Sequence, residues 1–285
     1  MHGNVVMKKP RKKDLQALEL SREVYLESPE QIINKAIALF KPVKIFVGFS
    51  GGYDSTVATG YSMDNVQGCE VVHIDTGIGI KLTRDHVRQT CKENKWPLRI
   101  VRAKEDCGQD YDELVKKFGF PGPSHHSLMF RCLKERACER LLRDNKTSRN
   151  DNVMLITGIR QDESQRRSNY QDKVVSFKGN LLWVSPFYYK DKSWFESYIK
   201  RNFLKRNPVS EVLGMSGECL CGAFAHKGEK ELIKLVCSET HARIEALEIE
   251  VKNAGHNWGW EESPPKKRAD DRTEEMFPMC VGCGK

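Results

Sequence analysis

Residues 50–55 read Ser-Gly-Gly-Tyr-Asp-Ser and directly follow an apolar run of Ile45, Phe46, Val47 and Phe49. A buried strand, a glycine turn and the start of a helix are the expected local structure. That arrangement suits a phosphate. Gly51 and Gly52 let the backbone approach an anion closely. The first N–H groups of the following helix have no intrahelical partner and point at it, with the helix dipole favouring negative charge. Ser50 and Ser55 add hydroxyl donors, and Thr56 opens the helix. Asp54 suits such a place only as a helix cap or a Mg²⁺ ligand. The common P-loop, with its Gly-Lys-Ser/Thr ending, does not occur.

Three further constellations can carry chemistry. Asp75-Thr76-Gly77 closes an apolar stretch, so an acidic residue stands where doubly wound sheets bind ligands. Gly158-Ile159-Arg160 leads into Glu163, Ser164, Arg166 and Arg167, a loop whose arginines can fork onto phosphate or sulfate oxygens. Cys219 and Cys221 form Cys-x-Cys, and Cys280 and Cys283 form Cys-x-x-Cys. Two close cysteine pairs joined by 58 residues have the shape of a closed four-thiolate metal site, for an iron–sulfur cluster or Zn²⁺.

Taken in order, Ser50 to Ser55, Asp75 to Gly77 and Gly158 to Arg160 resemble the signatures of the PP-loop ATP pyrophosphatases and 3′-phosphoadenylyl-sulfate (PAPS) reductases. The resemblance covers about residues 40–225 and implies an adenine nucleotide α-hydrolase-like, Rossmann-like fold. It implies a nucleotide site of Ser50, Gly51, Gly52, Asp54, Ser55, Thr56, Asp75, Thr76, Gly77, Gly158 and Arg160, with Asp54, Asp75, Arg160 and Arg166 as catalytic residues. It leans to a 4Fe–4S cluster at the four cysteines. Many members carry Lys where this chain has Tyr53, so pyrophosphate charge must here be met by Mg²⁺ or by distant Lys and Arg. Arg131-Cys132-Leu133-Lys134 resembles the segment where members place a cysteine and a phosphate-facing lysine.

The elements that must hold these residues follow from periodicity and punctuation. Two helices are expected over 14–40, the second capped by Ser28 with Pro29 in its first turn. Strands are expected at 43–49, 69–75, 97–101 and 153–157, and helices at 56–63, 83–95, 111–118, 128–143 and 193–203, the last capped by Ser193. A hairpin is expected at 173–187, and one helix from about 227 to 251. The alternation of strands and helices predicts a doubly wound, mostly parallel α/β sheet with a small C-terminal Cys-rich helical module. The boundaries read as 1–40 basic arm and N-terminal helices, 41–204 nucleotide-binding domain and 205–285 module.

Five of the eight net positive charges are Lys8, Lys9, Arg11, Lys12 and Lys13, which leaves about three for the rest of the chain. That is weak for a dedicated nucleic-acid binder, and the arm reads first as a solvated tail. No apolar run approaches the roughly 20 residues of a membrane span, and the N-terminus lacks an apolar signal core, so a cytoplasmic protein is expected. Three functions stay open. The first is adenylylation of an acceptor by ATP with Mg²⁺, for sulfur transfer, with nucleic acid among the acceptors. The second is reduction of PAPS or adenylyl sulfate through a nucleophilic cysteine. The third is a non-catalytic nucleic-acid-associated subunit. A sulfur- or electron-donor protein and a second copy of the chain are the other partners considered.

Overall fold

The computed structural model describes residues 10–163, 171–262 and 264. Two helices, α1 (Lys12–Glu23) and α2 (Pro29–Phe40), precede the sheet. Ser28 caps α2, accepting from the Gln31 N–H while Gln31 reaches back to the Ser28 N–H. The central elements are β1 (Lys44–Gly48), α3 (Tyr53–Asn65), β2 (Cys69–Asp75), α4 (Lys81–Glu93), β3 (Leu98–Arg102) and α5 (Tyr111–Phe118). The chain continues through α6 (His126–Phe130), a π-helical turn (Arg131–Glu135), α7 (Arg136–Asn145) and β4 (Val153–Ile156). Then come β5 (Val175–Lys178), β6 (Leu181–Val184), α8 (Lys192–Arg201), α9 (Pro208–Leu213), α10 (Glu229–Val236) and α11 (Ser238–Asn253).

The six strands lie in the order β3-β2-β1-β4-β6-β5. All neighbours are parallel except the β5–β6 hairpin. Alternation along β1 explains why both faces need cover. Ile45 and Val47 join the cluster under α1, α2, α3 and α8, whereas Phe46 packs on the other face against Ala137 and Leu141 of α7. The expected doubly wound, mostly parallel sheet is therefore present. Val47 of β1 pairs with Val71 of β2 on one side and with Ile156 of β4 on the other. The chain leaves β1 and β4 on opposite courses, so a crevice opens between their carboxyl ends.

Local departures have local causes. The helix expected from Thr56 begins at Tyr53 with Gly52 as N-cap, so Asp54 and Ser55 lie inside its first turn. Asp191, not Ser193, caps α8, accepting from the Trp194 N–H at 2.8 Å. The segment 128–143 is interrupted by the π-helical turn. The single helix expected over 227–251 is two, because Cys237 is extended (φ −155°, ψ 93°).

The segment after α8 folds back over the sheet edge. Val209, Leu213, Leu220, Cys221, Ile233, Ile244 and Trp260 share one buried cluster with Ile78 and Ile80 after β2 and with Tyr111 and Phe120. No described helix is long and apolar enough to cross a membrane.

Candidate functional site

The phosphate loop is built by its backbone. Gly51 has φ +77°, and a Cβ there would meet the Thr83 methyl at 2.8 Å. Gly158, arriving from β4, lies so close to α3 that a Cβ would stand 2.6 Å from the Asp54 carbonyl oxygen. These contacts bring the loops after β1 and β4 together across the crevice. Ser55 and Thr56 donate their hydroxyls to the Gly52 carbonyl, both at 2.9 Å, and the Ser50 and Ser55 hydroxyls are 3.1 Å apart. From the other side, the Asn207 amide donates to the Gly51 carbonyl at 3.0 Å and to the Thr83 hydroxyl at 3.1 Å.

Ser50, Gly52, Asp54 and Arg160 line one cleft of about 790 Å³ with Lys200 and Arg206. Inside it Arg160 Nε donates to Asp54 Oδ1 at 2.9 Å, both side chains buried. Asp54 therefore braces an arginine from the far loop, a role different from the helix cap anticipated for it. The cleft wall is a stack. The Arg160 guanidinium lies 5.2 Å from the Phe195 ring, Tyr53 stacks on Phe195 at 6.4 Å, and the Arg206 guanidinium lies 5.2 Å from the Tyr53 ring. Burial, with the charge of Glu196 behind it, pushes the Tyr53 phenol up to about 12. Tyr53 stays neutral and lends no charge to a phosphate, but it carries an arginine that does. Sequence reasoning missed Arg206, which lies more than 150 positions beyond the loop it faces.

Beneath the phosphate loop a slot of about 60 Å³ runs among Phe49, Val72, Ile74 and Leu155, with Ser55, Thr157 and Lys134 at its edge. Lys134 is buried and comes from the π-helical turn. The segment singled out in the sequence for a phosphate-facing lysine thus borders the same crevice.

Asp75, Thr76 and Gly77 line a different, polar pocket of about 180 Å³ with Arg84 and Arg243. Asp75 Oδ1 accepts from the Gly77 N–H and from Arg84, each at 3.0 Å. Thr76 turns inward. Its N–H donates to Glu218 Oε1 at 3.0 Å and its hydroxyl to the Glu218 carbonyl at 2.6 Å. Glu218 Oε2 faces His73 Nε2 at 3.2 Å, and His73 Nδ1 donates to the Phe49 carbonyl at 2.8 Å. All three side chains are buried. Burial alone lowers the His73 pKa, but the charge of Glu218 beside it, helped by the Phe49 carbonyl, more than offsets it, so the net shift is upward. Glu218 thereby ties the cysteine turn to the ends of both β1 and β2. Its only sequence signal was its place beside Cys219.

Cys221 is buried and Cys219 partly exposed. Their turn is pinned by Tyr111, whose hydroxyl donates to the Cys221 carbonyl at 3.1 Å, and by Trp260, whose Nε1 donates to the Leu220 carbonyl at 2.8 Å. Cys280, Cys283 and Arg166 lie outside the described residues. Among the described residues no three His, Cys, Asp or Glu side chains gather to hold a metal.

A family model described as the phosphoadenosine phosphosulfate reductase domain matches residues 44–211. An uncharacterized protein of Methanocaldococcus jannaschii is 29% identical over 174 residues, which are 56% of this chain and 39% of that protein. The chain thus spans about two fifths of the length of this curated relative. The crystal structure of a PAPS reductase from Candida auris, in a phosphate complex, superposes with a TM-score of 0.52 at 18% identity, over 73% of this chain and 94% of that one. That likeness is one of fold. Also similar are an NH₃-dependent NAD synthetase of Campylobacter jejuni (TM-score 0.44, 16% identity, 84% and 92% covered) and the U34-tRNA thiolase NcsA of Methanococcus maripaludis with its 4Fe–4S cluster (0.44, 14%, 85% and 85%).

Proposed function

The chain belongs to the phosphoadenosine phosphosulfate reductase domain family, and we propose that it binds ATP with Mg²⁺ and transfers the adenylyl group to an acceptor that then receives sulfur. An acceptor oxygen attacks the α-phosphorus, and the bond from that phosphorus to the bridging oxygen of pyrophosphate breaks. A sulfide-level nucleophile such as hydrosulfide then attacks the activated carbon, its C–S bond forming as the C–O bond to AMP breaks. The observation that carries this reading is the convergence of the Ser50–Ser55 loop, Arg160 and Arg206 on one cleft at the switch point of the sheet.

The loop N–H groups and the Ser50 and Ser55 hydroxyls hold the departing pyrophosphate. Arg160 and Arg206 offset the charge that grows on it, work of positioning and electrostatics. Asp54 gives Oδ1 to Arg160 and is the carboxylate that lines the cleft, so of the two it is the one placed to meet Mg²⁺ at the phosphates; Asp75, in the neighbouring pocket, is held by Gly77 and Arg84. Mg²⁺, when bound, neutralises phosphate charge. Cys219, Cys221, Cys280 and Cys283 would hold the iron–sulfur cluster or Zn²⁺.

Reduction of PAPS or adenylyl sulfate is the weaker reading. It needs a thiolate; of the candidates, Cys132 is buried with its thiol pushed up by burial, and the tail pair Cys280 and Cys283 lies outside the described residues. Calorimetry on anaerobically purified protein separates the two. Tight Mg·ATP binding, weakened about tenfold or more by Ser55→Ala, with PAPS and adenylyl sulfate weak, is the expected result. Preference for a sulfated nucleotide would replace adenylylation by reduction. Binding of none of the three would end both.

A further inference from the structure

Phe203 is the least economical residue of the molecule. It is 90% exposed, at φ +51°. Its backbone has a purpose. The Leu204 N–H returns to the Ile199 carbonyl at 3.2 Å and the Asn202 N–H to the Tyr198 carbonyl at 3.1 Å, which closes the C-terminus of α8. Leu204 then packs into the core beside Gly60. A left-handed residue is needed at position 203, and glycine meets that need with least strain. A phenyl ring there is strained and bare, and it belongs to none of the buried clusters. An outlier of this kind asks for a partner.

The neighbours indicate which. Lys200, Arg201, Lys205 and Arg206 flank the ring in sequence and are all exposed. Lys205 and Arg206 engage Glu93 and Glu211 only in exposed pairs, at 2.8 and 3.4 Å, which salt and competing anions readily displace. Lys200 and Arg206 also line the phosphate cleft, so the basic, aromatic-tipped turn is continuous with it. Cations that meet phosphates around an exposed ring that stacks on a base are the elements of a single-strand site.

We infer that the α8–α9 turn, with Phe203 at its tip, is the docking site for an unpaired stretch of nucleic acid that presents the acceptor to the cleft. The inference rests on the adenylylation reading for the acceptor's role, but its binding test stands apart.

Labelled single-stranded DNA and RNA of the same mixed sequence, and the corresponding duplexes, are titrated by fluorescence anisotropy at two salt concentrations. Mg·ATP binding is measured on the same preparations. The wild type binds single strands above duplex, more weakly at higher salt. A preference for one strand type identifies the acceptor as DNA or RNA; equal binding leaves the site selective for unpaired bases. Phe203→Gly lowers single-strand affinity about tenfold, keeps Mg·ATP affinity, and raises the thermal midpoint because the turn is relieved. The double variant Lys200→Glu, Arg201→Glu lowers strand affinity and flattens its salt dependence. The inference is overturned by duplex binding as tight as single-strand binding, by Phe203→Gly that binds strands as well as wild type, by Mg·ATP binding without strand binding, or by a dimer that Phe203→Gly abolishes. Strand binding that depends on Phe203 without Mg·ATP binding would overturn the adenylylation reading and leave the strand site standing.

Discussion

Two aspartate–arginine pairs stand at the carboxyl edge of the sheet, and they are built differently. Asp54 and Arg160 are 106 residues apart, with side chains 7% and 10% exposed. Asp75 and Arg84 are 9 residues apart, 12% and 22% exposed. The contact geometry is nearly the same, 2.9 against 3.0 Å. The first joins the loops after β1 and β4 across the crevice where a nucleotide would lie. The second braces the start of α4 against the loop after β2. Desolvation ranks them: the first pair is the more deeply buried at both ends, and a charge deprived of its partner costs more the deeper it lies.

The largest expected effect follows from that difference. Arg160→Ala should lower stability by about 3 kcal/mol and remove Mg·ATP binding, measured by urea unfolding and calorimetry. Arg160→Lys should fall between it and wild type, since it keeps the charge and loses the fork. If Arg160→Ala costs no more than the equivalent change at Arg84, the comparison between the pairs is wrong.

The intermediate effect sharpens the second region. Because the folded pKa of His73 is raised, the His73–Glu218 pair contributes stability that is fully present below the ordinary histidine value of about 6.5 and is lost as pH rises through the folded value. Each tenfold gain in proton affinity on folding corresponds to about 1.4 kcal/mol. Urea midpoints between pH 6 and 9 should therefore decline in the wild type relative to Glu218→Gln, which removes the charge and keeps the shape. Parallel profiles would mean that His73 is neutral throughout. The smallest effect is expected from Arg84→Ala, which leaves the less deeply buried Asp75 without its arginine, with Mg·ATP affinity changed only through the placement of Asp75.

Much of the fold was legible. The alternation of apolar runs and amphipathic stretches located the first four strands to within one residue and placed the hairpin over the segment that holds β5 and β6. Ser28-Pro29 marked the start of α2. The start of α3 was misplaced because Gly52 caps without a side chain, so no polar residue announces it. The break at Cys237 was hidden because neither glycine nor proline punctuates it. The site was legible in its loops and opaque in its pairings. Asp54 and Asp75 read as members of one nucleotide site, yet they border different pockets. Tyr53 read as a missing cation, while the fold stacks Arg206 on its ring.

The sequence by itself determined what depends on neighbours a few positions away: the glycine loop, the strands on either side of it, the Ser28 cap of α2, and the family. Only the tertiary structure decided which distant groups share a charge or a proton: Arg160 with Asp54, Glu218 with His73 and Thr76, Arg206 with Tyr53. The reason is physical. Backbone conformation and amphipathic period are set over one or two turns of chain. The partner of a buried charge is set by strand order and by which loops the sheet brings to one edge.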